Sequence, residues 1–350
     1  MSAIRSKSFP DAQLQGRPSY SLSLNPGPLN QETWVLTDGS VGMEAQGIAV
    51  AEAVGLPVCL HRVRVGGARG LVPAPFQILL RPARLLASVA SDARLEPPWP
   101  RLVISIGRRS VPIALAVKRL SSAFAVHIQN PKVPARLFDL VAAPVHDGFT
   151  GPNVITTFGA VHRISPDRIA AEAERFAPEF TTLPHPRIAV LLGGTSQAFS
   201  FDAADAEVFG AKLAALASAN GGSLLVTPSR RTDAAALVAL RKAISAVPHF
   251  VWDGGGENPY LALLGLADTI VVTGDSVNMV TEAAGTGKPV YVHPLHGRSR
   301  RLSRFHDLMR ERGATRPFDG RIESWSYPPI NDTELVAAAI RRALNLAPPS

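Results

Sequence analysis

The chain has 350 residues, 46% of them hydrophobic, and its 36 basic against 28 acidic residues give a net charge of +8. This length and hydrophobic content can fill one large core or two medium ones, and two domains are the better prediction. The single cysteine, Cys59, excludes an internal disulfide framework and a thiolate-rich metal site. No uninterrupted apolar stretch approaches the roughly 20 residues that span a bilayer, so a membrane-spanning helix is not expected.

The excess of basic residues favours anionic partners such as phosphates, acidic lipid headgroups or nucleic acid. Aromatic residues make up only 6% of the chain and do not alternate with the basic ones, so nucleic-acid binding is not predicted. A phosphorylated small molecule near an anionic membrane fits better, and a solvated basic surface is the alternative. Residues 1–30 lack the apolar segment of a secretory signal. We therefore predict a disordered tail and a cytoplasmic location, with peripheral attachment at the inner membrane surface left open.

From residue 31 onward the pattern alternates between strand and helix, which is typical of parallel sheets covered by helices. In the first half we predict strands at 33–37, 57–65, 101–106, 123–128, 137–142 and 154–157, and helices at 43–54, 76–90, 107–118 and 166–176. A proline cluster formed by Pro178, Pro184 and Pro186 then interrupts the pattern and marks the predicted domain boundary.

The second half repeats the alternation. Its predicted strands are 187–192, 223–227, 249–252, 268–273 and 289–293, and its helices are 203–219, 233–246, 259–266, 276–284 and about 333–346. These patterns predict an α/β protein with two Rossmann-like parallel-sheet domains, 31–177 and 178–330, that face a central cleft. The terminal segment 331–350 is expected to cross back to the first domain as a helix.

The most informative stretch, residues 273–289, lies between two apolar runs and predicts a strand, a tight loop, a short helix and a strand. The backbone N–H groups at a helix start suit a phosphate, and a carboxylate one to two turns further suits the paired hydroxyls of a ribose. The stretch is not a P-loop, because Glu282 stands where the first glycine is required and Pro289 where Ser or Thr is required. The residues predicted for this nucleotide-sugar site are Gly274, Asp275, Ser276, Asn278 and Glu282.

Two further segments of the second half contribute to the same predicted site. The strand at 187–192 ends in two glycines, which let a ligand approach the backbone closely; a plain tight turn is the alternative. A run of arginines follows the last strand, and their guanidinium groups could neutralise a diphosphate leaving group without a metal; the basic start of a solvent-facing helix is the alternative. The residues added to the site are Gly193, Gly194, Thr195, Ser196, Arg298 and Arg301, and neither a metal nor a cofactor is predicted.

Two carboxylates are candidate catalytic bases. Asp38 follows the first strand, at the edge of the sheet where ligands of open α/β sheets bind, and an ordinary turn residue is the alternative. Asp147 follows another strand of the first half and stands beside His146, a neighbour pair that also occurs by chance. We assign Asp38 and Asp147 as candidates for deprotonating an acceptor hydroxyl.

Four segments, residues 34–39, 146–148, 192–196 and 273–282, together resemble the mitochondrial-fission family of GT-B-like proteins over about residues 31–345. The second half is more distantly similar to the peptidoglycan glycosyltransferase that adds N-acetylglucosamine to lipid I. That similarity implies a UDP-sugar held by the glycine loop, a ribose held by Glu282, and polar contacts near residues 300–304. Two glutamines of that enzyme are absent here, so the donor sugar remains open. Asp38 and Ser40 stand in place of its first glycine loop, so the acceptor and the base remain open as well.

These observations lead to one hypothesis and two alternatives. The hypothesis is a metal-independent glycosyltransferase that moves a sugar from a nucleotide diphosphate to an acceptor, which is either lipid-linked or held near a membrane. The first alternative is a non-catalytic adaptor in membrane fission or division. The second is a nucleotide-sugar epimerase that works without NAD, because the chain lacks a G-x-G-x-x-G fingerprint after its first strand. The oligomeric state is left open.

Overall fold

The computed structural model describes residues 29–66, 72–92 and 94–347, so most of the predicted disordered tail lies outside the described residues. The chain divides into two compact units. The first contains the described residues up to Gly47, Leu56–Ala143 and Phe149–Thr156, and the second contains Ile48–Gly55, Pro144–Gly148 and the chain from Thr157 onward.

The first unit is built on a seven-stranded sheet. Five of its strands pair in parallel, and β3 runs antiparallel to β2 at one edge. Strands β1 and β4 are buried along their whole length, as is typical of central strands in a parallel sheet, and most of their residues are apolar. The strands are β1 (Thr33–Thr37), β2 (Val58–Val65), β3 (Val89–Ser91), β4 (Leu102–Ile106), β5 (Phe124–Ile128), β6 (Leu140–Pro144) and β7 (Val154–Thr157), and the helices are α1 (Val41–Val54), α2 (Ala74–Gln77), α3 (Pro82–Leu86) and α4 (Val111–Leu120).

The helix predicted at 76–90 is wrong. The structure has two short helices there, α2 and α3, followed by strand β3. Pro82 is the cause, because proline has no N–H for a helix interior but fits the first turn, where it begins α3.

The second unit contains a six-stranded sheet and a short two-stranded ribbon of β9 and β14. The sequence analysis predicted neither that ribbon nor the last strand of the sheet, and it gave the start of helix α10 only as an alternative. The strands are β8 (Arg187–Leu192), β9 (Phe199–Ser200), β10 (Ser223–Pro228), β11 (His249–Val251), β12 (Thr269–Thr273), β13 (Val290–His293), β14 (His296–Gly297) and β15 (Thr315–Pro317). The helices are α5 (Pro166–Phe176), α6 (Ala203–Ala219), α7 (Ala234–Ala243), α8 (Tyr260–Leu266), α9 (Val277–Ala284), α10 (Arg300–Glu311) and α11 (Asp332–Leu344).

Six strands of the first sheet follow the same order as the six strands of the second, and β7 is added at one edge of the first. The order is β3-β2-β1-β4-β5-β6-β7 in the first unit and β11-β10-β8-β12-β13-β15 in the second. In each sheet the chain builds from its first strand toward one edge and then crosses back to add the next strand on the opposite side of that first strand. The connections that follow β1 and β4 therefore lead in opposite directions, as do those that follow β8 and β12. Such a switch point opens a crevice at the carboxyl ends of the strands, where ligands of this fold class bind.

The predicted domain boundary after residue 177 differs from the observed division, which places α5 in the second unit. Helix α5 packs on α8 so closely that a Cβ on Gly265 would lie 2.8 Å from the Cβ of Ala173. The proline cluster therefore interrupts the chain inside the second unit. Helix α11 also belongs to this unit, in which Arg341 donates a hydrogen bond to the carbonyl of Ala53.

The end of α8 is stabilised by a lysine from a distant part of the sequence. The ammonium group of Lys288 donates hydrogen bonds to the carbonyls of Leu264, Gly265 and Ala267, at 2.8 Å in the first case and 2.6 Å in the last. The last carbonyls of a helix have no partner within the helix, so this one side chain satisfies groups that would otherwise need water.

We expect Lys288→Met to lower the free energy of unfolding by about 2 kcal/mol, because buried carbonyls would lose a charged donor. Urea unfolding followed by circular dichroism measures the change. The exposed Lys242→Met is the matched control, expected to stay within about 0.5 kcal/mol of the wild type. Equal midpoints for the two variants would contradict the role of Lys288.

Candidate functional site

Two loops meet at the switch point between β8 and β12. The amide of Gly193 donates to the Thr273 hydroxyl at 2.7 Å, and the amide of Gly194 donates to Oδ2 of Asp275 at 3.2 Å. The Thr273 hydroxyl in turn donates to Oδ1 of Asp275 at 2.7 Å. The carboxylate of Asp275 thus links the glycine loop after β8 to the loop after β12.

The two glycines are required by the protein's own packing. A Cβ on Gly193 would lie 2.0 Å from Oδ1 of Asp275, and one on Gly194 would lie 1.9 Å from the carbonyl oxygen of Arg231. Both distances are far inside van der Waals contact. Protein atoms already fill the Cβ positions of both residues, so packing alone accounts for the two glycines, and close approach of a ligand to this loop stays a prediction.

Arg231 is a site residue that the sequence analysis missed. Its Nη2 lies 2.7 Å from Oδ2 of Asp275, whose side chain is fully buried, whereas 39% of the arginine side chain is exposed. The guanidinium balances a buried negative charge and still reaches solvent. Arg231 follows β10. Because the carboxyl ends of parallel strands lie at one edge of a sheet, its position in the sequence could have identified it as a neighbour of the site.

The predicted hydroxyl groups all hydrogen-bond to nearby backbone. Thr195 accepts from the amide of Phe201 at 3.2 Å, and Ser196 accepts from the amide of Phe199 at 3.2 Å. Ser276 is the N-cap of α9 and accepts from the amide of Met279 at 3.3 Å. In each case the oxygen is used as an acceptor, and its O–H remains a donor that a ligand can use. Asn278 lies in the first turn of the same helix and is partly buried.

Glu282 has a partner inside the protein. The hydroxyl of Tyr260 donates to Oε2 of Glu282 at 2.6 Å, a contact that the sequence did not indicate. Burial raises the pKa of Glu282 to about 7, although the Tyr260 hydrogen bond acts in the opposite direction. Its carboxyl group therefore changes charge near neutral pH, and only the ionised form is a pure acceptor for ribose hydroxyls.

Two residues to which the sequence analysis gave different roles form an ion pair. Nε of Arg301 lies 2.7 Å from Oδ1 of Asp147, and both belong to the second unit. The neighbouring His146 is buried against the ring of Phe305, and burial lowers its pKa to about 4, so it is neutral at physiological pH. Helix α10 also reaches the loop after β12, because Nε2 of His306 lies 2.7 Å from the carbonyl oxygen of Gly274.

The remaining predicted residues, Arg298 and Asp38, make contacts within their own units. Arg298 has an exposed side chain, and its amide donates to the carbonyl of Ala198 beside the β9–β14 ribbon. Asp38 belongs to the first unit, where it follows β1. Its Oδ1 accepts from the amide of Ser40 at 3.2 Å and from the Ser40 hydroxyl, which shapes the turn into α1.

Within residues 29–66, 72–92 and 94–347, no group of three or more His, Cys, Asp or Glu side chains is placed to hold a metal ion. In the same part of the chain, no helix is both long and apolar enough to cross a membrane.

Solved structures with the same fold include a UDP-GlcNAc 2-epimerase from Methanocaldococcus jannaschii. It has a TM-score of 0.53 and 12% identity, and the match covers 90% of this chain and 99% of that one. The Os79 protein of O. sativa, solved in complex with UDP, has a TM-score of 0.51 and 14% identity, with 90% and 91% covered. These similarities confirm the predicted α/β, GT-B-like fold class with Rossmann-like sheets, and at such low identity they show the fold alone.

Sequence comparison identifies the family. The mitochondrial fission protein ELM1 of Arabidopsis thaliana is 34% identical over 279 residues, which cover 71% of this chain and 65% of that protein. The chain thus matches slightly less than two thirds of that relative's length. Residues 41–344 match the family described as Mitochondrial fission ELM1. The match runs through both sheets and includes the Asp275 and Glu282 segment, and the chain therefore belongs to the mitochondrial fission ELM1 family.

Proposed function

We propose that this chain is a glycosyltransferase that binds a nucleotide-diphosphate sugar at the carboxyl edge of the second unit's sheet. The observation that carries the proposal is the convergence at the β8–β12 switch point of a glycine loop, the N-terminus of α9 and the guanidinium of Arg231. Helix N-termini and arginines are the protein groups that best hold a diphosphate. Uridine nucleotides are the first donors to test, because one protein of the same fold is a UDP-GlcNAc 2-epimerase and another was solved in complex with UDP.

The proposed reaction uses no metal. The acceptor hydroxyl loses its proton to a carboxylate and forms a bond to the anomeric carbon, while the bond from that carbon to the diphosphate breaks. Arg231 and the α9 amides stabilise the charge on the departing diphosphate. Asp38 is the proposed base, because Asp147 is held in an ion pair with Arg301. Glu282 in its ionised form is the proposed acceptor for the ribose hydroxyls.

A specific observation also favours a non-catalytic role. The amides of Gly193 and Gly194 are the backbone donors expected to meet a phosphate, and both already donate to side chains, those of Thr273 and Asp275. The Asp275 carboxylate takes the place of an external anion at these two amides. A fold kept for assembly in fission, without turnover, would retain such internal contacts. An epimerase without NAD would bind the same donor and is distinguished by a product isomerised at the sugar, with no acceptor consumed.

The proposal predicts that the chain binds at least one of UDP, GDP, CDP or dTDP, and that Arg231→Gln weakens that binding by about tenfold or more. A lost hydrogen bond to a charged group is worth about 1.5–3 kcal/mol, and 1.4 kcal/mol is a factor of ten. Isothermal titration calorimetry at constant salt measures both affinities.

Arg321→Gln is the matched control. It changes an exposed arginine of the same unit that follows β15, and it should bind nucleotide like the wild type. Arg231→Lys keeps a positive charge beside Asp275. A folded Arg231→Lys that still binds more weakly therefore attributes the loss to the planar guanidinium group and not to unfolding. If the folded wild type binds none of the four nucleotides, the glycosyltransferase proposal fails and the non-catalytic role is favoured.

The Glu282 carboxyl also makes a prediction about stability that needs no ligand. Its pKa is 4.5 in an unfolded chain and about 7 in the folded one, so the folded state binds more protons between these values. The free energy of unfolding therefore falls as pH rises through this window. We expect Glu282→Gln, which cannot ionise, to become more stable relative to the wild type by roughly 1–3 kcal/mol between pH about 5 and about 8.

Urea midpoints at the two pH values measure the difference. Glu207→Gln, which removes an exposed carboxylate on α6, controls for the general effect of one lost negative charge. A constant difference between Glu282→Gln and the wild type across this range would show that the carboxyl group is not desolvated in the folded state.

A further inference from the structure

The first unit has its own cavity at its own switch point. The cavity has a volume of about 810 Å³ and lies where β1, β2, β4 and β5 end at the same edge of the sheet. Its lining includes Asp38, from the loop after β1, and Val111, the first residue of α4. The nucleotide-sugar proposal does not use this cavity except through Asp38.

The charges around the cavity are strongly one-sided. Arg64, Arg108, Arg109 and Lys132 line it, and all four side chains are exposed. Asp38 is the single acidic residue of the described lining, so four positive charges face one negative charge. None of the four basic side chains has an ion-pair partner among the described residues, in contrast to Arg231, which is paired with Asp275.

Two features of the backbone support a ligand site here. Ser110 precedes α4, but its hydroxyl donates to the carbonyls of Ile106 and Gly107, so no side chain caps the first amides of α4. The loop after β5 holds Gln129 at φ 79° and Lys132 at φ 59°. Residues other than glycine rarely adopt such angles, and backbone strain of this kind concentrates at functional sites.

We propose that this cavity is a second anion site, which binds the phosphate or diphosphate group of a phosphorylated ligand. Arg108 and Arg109 are adjacent in the chain just before α4, Arg64 lies at the end of β2, and Lys132 lies in the loop after β5. Several converging cations and free helix amides suit a group with two or more negative charges better than a single carboxylate. As a binding site it stands independently of the donor site. Its interpretation as the acceptor site rests on the proposed function, and the acceptor then carries its phosphate beside Asp38.

The test uses inorganic pyrophosphate as the probe and the full chain. We expect the wild type to bind it, and Arg108→Gln/Arg109→Gln to bind it at least tenfold more weakly, since hydrogen bonds between charged groups are among the strongest in proteins. Arg84→Gln/Arg136→Gln removes two exposed arginines of the same unit outside the cavity and should leave the affinity unchanged. Calorimetry at two salt concentrations should also show a smaller salt dependence for the cavity variant.

Asp38→Asn gives a result of opposite sign. It removes the negative charge that faces the cations, so pyrophosphate should bind more tightly, whereas a merely structural role of Asp38 would weaken binding. Equal affinities in the cavity variant and the control pair, or no binding of pyrophosphate by the folded wild type, would overturn the proposal.

Two further arms separate this site from the donor site and identify the source of the phosphate. If Arg108→Gln/Arg109→Gln loses pyrophosphate binding and keeps nucleotide binding, the two ligands occupy separate sites. If the wild type binds pyrophosphate at this cavity but binds no nucleotide, only the donor-site proposal is refuted. Co-sedimentation with phosphatidic acid vesicles, against phosphatidylcholine vesicles, tests a lipid source. Binding to phosphatidic acid that depends on Arg108 and Arg109 supports a lipid phosphate, and pyrophosphate binding without it supports a water-borne ligand.

Discussion

The buried carboxylate of Asp275 is the interaction on which the second unit's site depends. A buried charge is costly unless it is paired and hydrogen-bonded. Asp275 accepts hydrogen bonds from the Gly194 amide after β8 and from the Thr273 hydroxyl at the end of β12. It also forms an ion pair with the Arg231 guanidinium, which follows β10. One side chain therefore fixes three loops at the point where a ligand of this fold class would lie. It also explains why glycine is needed after β8, since a side chain there would displace the carboxylate.

The two units share an order of six strands and use it in opposite electrostatic ways. At the switch point of the second unit, the internal anion Asp275 meets the backbone amides and an arginine. At that of the first unit, four cations without ion-pair partners among the described residues face one carboxylate, Asp38. Since the strand order is shared, the difference comes from the residues placed just after the strands. The fold supplies the position of each site, and those few residues decide which ligand chemistry it suits.

Burial rather than residue type sets the charge of several groups in the second unit. Glu282 has a pKa raised to about 7, and His146 and His293 have pKa values lowered to about 4. The two histidines are thus neutral at physiological pH and act as packing groups, His293 by stacking on Phe209 with ring centroids 4.0 Å apart. Glu282 is the exception, because its charge changes near neutral pH.

The sequence by itself determined the alternation of strands and helices, the fold class, the family, and the loops after β8 and β12 as the notable segments, because these depend on local pattern. Only the tertiary structure showed that α5 belongs to the second unit, that Arg231 and Tyr260 are partners of Asp275 and Glu282, and that four cations line one cavity. These facts depend on side chains far apart in the chain, which strand order brings to one edge of a sheet. The packing at the Gly193–Gly194 pair was hidden for the same reason, since sequence shows that a side chain is absent but not which atoms fill its place.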